Sequence, residues 1–192
     1  MARNTRTGRA RVAGRERGFT LVELLVVVAM VGILAALAMV GYKKYMATAQ
    51  ASEASAMIQG IRGGEEAYRA ETLSYLGCSS SITDYYPKAP DDRKRSWAGL
   101  DTNPKWQCWK KLGVAADGPV RFGYSVMAGM PGDSVPAPAG FASPPAPWPP
   151  ALFSREPWYI IQAAGDRDAD GIQALFFAGS HTGEIYSEND SE

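Results

Sequence analysis

The sequence predicts an α+β protein in which a long N-terminal helix packs against an antiparallel β-sheet head with a loop-rich C-terminal region. Three observations carry that prediction. Residues 19–40 form an apolar run of 22 residues that holds one charge, Glu23. The run passes without a turn signal into a segment with a single apolar stripe, which ends near Thr72. Beyond Val120, short period-two segments alternate with Gly and Pro clusters, as antiparallel strands joined by turns do.

Residues 1–18 hold six Arg (Arg3, Arg6, Arg9, Arg11, Arg15, Arg17) and one acid, Glu16, with no apolar periodicity, and read as a disordered cytoplasmic leader. Residues 19–40 form the transmembrane half of the helix. At about 1.5 Å per residue the run spans roughly 33 Å, enough for a bilayer core. Its one carboxylate lies five positions in. Burial of an acid in lipid costs on the order of 2.5–3.5 kcal/mol near the helix centre and less toward the interface, so Glu23 calls for a partner.

Residues 41–72 form the other half. Tyr42, Lys43, Lys44 and Tyr45 make an interfacial belt. Ala54, Met57, Ile58, Ile61 and Tyr68 then recur at steps of three, four and seven, which makes one apolar stripe. Gly60, Gly63 and Gly64 each cost the helix about 1 kcal/mol relative to Ala and mark a bend or a small-residue contact. The two halves together make a rod of about 50 residues, roughly 75 Å long.

Residues 73–192 form the β-rich head. Residues 73–112 read as mostly loop, with Gly77, Pro87, Pro90 and Pro104 as breakers. Trp97, Trp106 and Trp109 in this region are expected in packing rather than around a ligand. Val120, Phe122, Tyr124 and Val126 share one face of a first strand over residues 120–127. Further strands are expected over residues 158–163, 172–178 and 184–186, with connections short enough for a meander. Residues 131–150 carry eight prolines, which excludes helix and central strand and predicts an extended, partly mobile arm.

The whole chain balances 20 Lys and Arg against 20 Asp and Glu. Without residues 1–18 it keeps 14 basic and 19 acidic residues, a net charge of about −5. The basic end stays cytoplasmic by the positive-inside rule, which puts the head across the membrane. There Cys78 and Cys108 read first as a disulfide and otherwise as two buried thiols. They belong to no Cys-x-x-Cys pair, so redox catalysis and a zinc ribbon have no support.

Asp166, Asp168 and Asp170, followed by Gly171, place three carboxylates around a tight turn, the first half of a calcium loop. The twelfth position is Phe177, so this is no EF-hand. Calcium remains an expected ligand only if Glu184, Glu188 or backbone carbonyls complete the shell; otherwise the segment is a solvated hairpin turn. Arg93, Lys94, Arg95, Lys105, Lys110 and Lys111 are diluted by Asp91, Asp92 and Asp101, so nucleic acid is not expected as a partner. Catalysis has little support: the chain has a single histidine, His181, beside Ser180, and no nucleophile elbow.

The segment Arg17-Gly18-Phe19-Thr20-Leu21-Val22-Glu23-Leu24-Leu25 resembles the N-terminal signal of type IV pilins and type II secretion pseudopilins. The resemblance covers residues 15–42 and implies cleavage between Gly18 and Phe19 by a prepilin peptidase, methylation of the new Phe19 amino group, and an assembly pair between Glu23 and that amino group on a neighbouring subunit. Many family members carry a proline where this chain has Val40, so any unwinding during assembly falls to Gly32 or Gly41. The implied partners are homologous pilin subunits, the peptidase, the membrane and an inner-membrane assembly platform. No catalytic role and no certain cofactor is implied.

The function expected is that of a structural subunit, a minor pilin, of a type IV pilus-like filament. Before assembly it is a single-pass inner-membrane protein with a periplasmic head, and afterwards part of a cell-surface or periplasmic filament. A type II secretion pseudopilin is the alternative. A single-pass anchored binding or sensor protein that never polymerises is the second.

Overall fold

A computed structural model describes residues 18–145 and 147–190, in two compact units, Met1–Tyr42 and Lys43–Glu192. The expected leader, apart from Gly18, lies outside the described residues.

One helix, α1, runs over Leu21–Thr72 and is unbroken at Gly32, Gly41, Gly60, Gly63 and Gly64. In its second half Ala54, Ile58 and Ile61 are fully buried, so the expected stripe is the face on which the head is built. Gly64 serves close approach rather than a bend: a Cβ there would stand 2.4 Å from the Leu112 carbonyl oxygen. α1 ends at Leu73, whose φ of 61° places it in the left-handed region and whose N–H donates to the Arg69 carbonyl.

Four strands follow: β1 (Gly123–Gly129), β2 (Trp158–Gly165), β3 (Ala174–Gly179) and β4 (Tyr186–Glu188). They pair antiparallel in the order β1-β2-β3-β4, with Val126 opposite Ile161 and Ala163 opposite Phe176. The expected meander is therefore the observed topology, with shifted bounds that have local causes. Val120 falls outside β1 because it exchanges both backbone hydrogen bonds with Arg95, at 2.7 and 2.8 Å. β4 starts at Tyr186 rather than Glu184 because the carbonyls of Thr182, Gly183 and Glu184 are taken by the Arg62 guanidinium of α1, at 3.0, 2.7 and 2.6 Å.

Alternation sorts the strand residues onto two cores. Tyr124, Val126, Tyr159, Ile161, Ala163, Phe176 and Ala178 meet the buried side chains of α1, together with Trp97 and Trp109. On the opposite face Trp158, Ile160 and Phe177 meet Ile82, Phe153, Phe141 and Trp148. The latter two aromatics belong to the proline-rich arm. The described residues of the 131–150 segment run without helix or strand, as expected, and Val135, Ala139, Phe141 and Trp148 pack them against the sheet. Buried Gln162 of β2 ties the segment down, accepting from Ala139 N–H and donating to Ala139 C=O, both at 2.9 Å.

The region read as loop, residues 73–112, contains a second helix, α2 (Pro104–Lys111). Pro104, a breaker by residue type, sits at the first position of this helix. At the first helical turn it costs nothing, since its missing N–H would have no partner there. Asn103 caps the helix by accepting from Lys105 N–H at 3.0 Å. α2 carries Trp109 into the core, where it packs edge-on to Trp97 at 5.2 Å between ring centroids.

Candidate functional site

Gly18 and Phe19 precede α1 in non-helical conformation, and Phe19 is 83% exposed. Thr20 is the N-cap. Its hydroxyl accepts from Glu23 N–H at 3.2 Å, while Glu23 Oε2 accepts from Thr20 N–H at 3.0 Å and from Thr20 Oγ1 at 2.9 Å. This is a capping box, and it satisfies two amide donors that a helix start leaves open. Among the described residues nothing donates to Oε1. Glu23 is therefore fixed by its own helix through one oxygen. The sequence pattern Thr-x-x-Glu carried this signal, masked by the more conspicuous fifth-position acid.

From Phe19 to Val40 the large apolar side chains are between 42 and 86% exposed, and they include five successive residues, Leu24 to Val28, so the apolar surface runs round the helix. The described residues contain one helix long and apolar enough to cross a membrane, and it is α1. Such a surface, unpartnered among the described residues, is of the kind that lipid or other helices cover.

In the head, Cys78 and Cys108 are joined by a disulfide with Cα atoms 5.5 Å apart, which ties the connection after α1 to α2. Asp166, Asp168 and Asp170 do converge, each offering an oxygen within 4.8 Å of the others. Much of their capacity is spent on the turn itself. Asp166 accepts from Ala169 and Gly171 N–H, and Asp170 accepts from Ile172 N–H at 2.7 Å. Glu188, a candidate to close the shell, instead accepts from Ala142 and Ser143 N–H of the proline-rich layer.

The basic stretch is internally paired. Lys88 and Arg95 meet Asp91 at 2.9 and 2.5 Å, and they hold its carboxyl well below the usual range, Arg95 foremost. Lys105 pairs with Asp84 and, helped by Ser80, brings that acid down to about 2. Lys110 meets Asp101 at 3.3 Å. Ser180 and His181 have separate structural partners: Ser180 Oγ accepts from Tyr159 N–H, and the His181 ring packs edge-on against Phe153.

Sequence reasoning did not single out Arg62, Glu65 or Gln162, because a polar residue inside an apolar pattern gives no sign of whether it is buried. Glu65 is the exception that a helical projection could have found, four positions beyond Ile61 on the buried face.

Comparison with known proteins agrees with the N-terminal architecture. Residues 14–39 match the family model described as the prokaryotic N-terminal methylation motif. The chain is 40% identical over 81 residues to the type IV major pilin protein PilE of Neisseria gonorrhoeae, covering 38% of this chain and 48% of that protein. It is 47% identical over 66 residues to a fimbrial protein of Neisseria meningitidis serogroup B, covering 34 and 39%. It is 49% identical over 47 residues to a fimbrial protein of Moraxella nonliquefaciens, covering 24 and 30%. The chain thus spans less than half the length of these curated relatives. No solved structure matches it. With the methylation motif over residues 14–39, the long apolar helix that starts within it and the antiparallel four-stranded sheet behind, the chain is similar to type IV pilins over its N-terminal region.

Proposed function

We propose that this chain is a structural subunit of a type IV pilus-like filament, cut between Gly18 and Phe19 by a prepilin peptidase and polymerised through α1. The observation that carries the reading is an apolar surface all round the first half of α1 that begins directly after Gly18-Phe19 and contains one carboxylate, Glu23. In a membrane that surface anchors the subunit. In a filament the same surface packs against the helices of its neighbours. Glu23 Oε1 is the acceptor for the Phe19 amino group of an adjacent subunit, and an ion pair offsets part of the burial cost of each charge. A minor rather than major role is favoured by the proline-rich segment and by the large loop-rich region over residues 73–112. Shearing of surface filaments tests the reading. The processed subunit is expected in the sheared fraction and should be lost from it when the peptidase gene is deleted. An intact leader confined to the membrane fraction would instead make this a non-polymerising anchor, and a processed subunit confined to the periplasm would make it a pseudopilin.

A calcium ion is proposed as a second, separate ligand. The supporting observation is the convergence of Asp166, Asp168 and Asp170, an all-oxygen donor set of the kind calcium takes. Millimolar calcium should raise the melting temperature of the wild-type chain and leave Asp168→Asn unchanged. Equal melting with calcium and with chelator would remove the proposal.

A further inference from the structure

Glu65 lies on α1 and is completely buried. Its Oε2 accepts one hydrogen bond, from Leu76 N–H at 2.8 Å, and its Oε1 has no partner. No cation pairs with it among the described residues. An ionised carboxylate in that position would be a buried charge with a single donor, which the interior does not support.

The surroundings offer no relief. On α1 itself, Glu66 adds a like charge, while the two terminal nitrogens of Arg62 donate to the carbonyls of residues 182–184, its buried Nε has no partner, and Arg69 donates to the Tyr75 hydroxyl at 2.7 Å. From the connection after α1 comes Tyr75, whose hydroxyl also donates to Glu66 at 2.9 Å. From β2 comes Tyr159, edge-on to Tyr75 at 4.7 Å between centroids. On the α2 side, Lys111 sits over the Tyr68 ring of α1. Glu65 thus has a like charge beside it and one donor, Leu76 N–H, and no ion pair reaches it among the described residues.

The group it holds is the start of the head. Leu76 belongs to the connection that leaves α1 at Leu73 and reaches Cys78, whose N–H donates to the Val126 carbonyl of β1 at 3.0 Å. We propose that protonated Glu65 is a latch on this connection, and that its ionisation loosens residues 75–79 from α1 while the β-sheet stays closed.

The sign follows from linkage. Burial pushes the Glu65 carboxyl up to about 8, whereas in an opened, hydrated junction it returns toward 4.5. The closed junction therefore keeps a proton that the open one loses, and opening becomes easier as pH rises from 4.5 to 8, by up to about tenfold per pH unit. Below that window the latch is fully set, and above it the opening constant no longer changes.

Amide hydrogen exchange on the full chain in detergent micelles tests this. Between pH 5.5 and 7.5, protection factors at Leu76 and Cys78, corrected for the intrinsic rate, are expected to fall at least tenfold. Those at Ile161 and Ala163 in β2 should fall less than threefold. Glu65→Gln, which cannot ionise, should keep the junction's protection constant across the same range. Constant protection in wild type, an equal fall at both places, or a fall that persists in the Gln variant would overturn the proposal. If the variant does not fold, the contrast between the two sets of wild-type amides decides alone.

Discussion

At the scale of single residues, Glu23 has two separable jobs. It completes a capping box with Thr20, and it presents a free carboxylate oxygen. Glu23→Gln separates them, because Gln serves equally at the third helical position of a capping box but carries no charge. Filament yield is expected to drop tenfold or more in this variant, with the preprotein still processed and its helix content unchanged by circular dichroism. Wild-type yield of filaments from Glu23→Gln would assign the residue to the cap alone. Gln162 makes the opposite kind of case, a neutral amide whose value lies in having all its partners. Replacing it with Leu leaves the Ala139 amide and carbonyl and the Tyr85 hydroxyl without partners. A loss on the order of 2 kcal/mol is expected, read as a melting temperature lower by about 4 to 8 °C. An unchanged melting temperature would show that the proline-rich layer is not held through Gln162.

At the scale of elements, the end of α1 contains a correctable strain. Leu73 holds φ at 61° with its side chain 80% exposed, so little packing rewards a conformation that costs a branched residue about 1–2 kcal/mol. Leu73→Gly should raise stability by about 0.5–1 kcal/mol, the gain being trimmed by the greater freedom of glycine in the unfolded chain. A denaturation midpoint below wild type would mean that the Leu73 side chain has a contact worth more than the strain. The disulfide acts on the neighbouring segment. Replacing Cys78 and Cys108 together by Ala frees a loop with a sequence separation of 30 and should cost about 3–4 kcal/mol. Denaturant unfolding of the double variant checks this.

The same scale shows what could be read beforehand. α1 and the four strands were legible because their apolar periods repeat over enough residues to mark a face. α2 was not, because eight residues with Trp106 and Trp109 give too short a pattern, and Pro104 was weighed as a breaker without Asn103 before it. The packing of the proline-rich segment is hidden for a different reason. Proline content reports backbone stiffness but says nothing about burial, and Phe141 and Trp148 supply the packing. Arg62 is illegible because its role is tertiary, tying α1 to a loop 120 positions later; for Glu65 the helical period gives the buried face but not the partner, which lies on a connection 11 positions away.

For the molecule as a whole, the two units divide the physics between them. The head, Lys43–Glu192, is a closed structure with two aromatic cores on the two faces of one sheet and a disulfide across its first connection. In the N-terminal unit the described apolar side chains from Phe19 to Val40 are exposed, a surface that the proposed reading gives to lipid and then to neighbouring subunits. An account that joins the two into a filament subunit turns on a covalent event at one peptide bond. Mass spectrometry of the subunit from sheared surface filaments reads it directly. The account predicts a chain that begins at N-methylated Phe19 and retains Glu23. A surface subunit that still carries residues 1–18, or one cut beyond Val40 so that the apolar helix is gone, would contradict it.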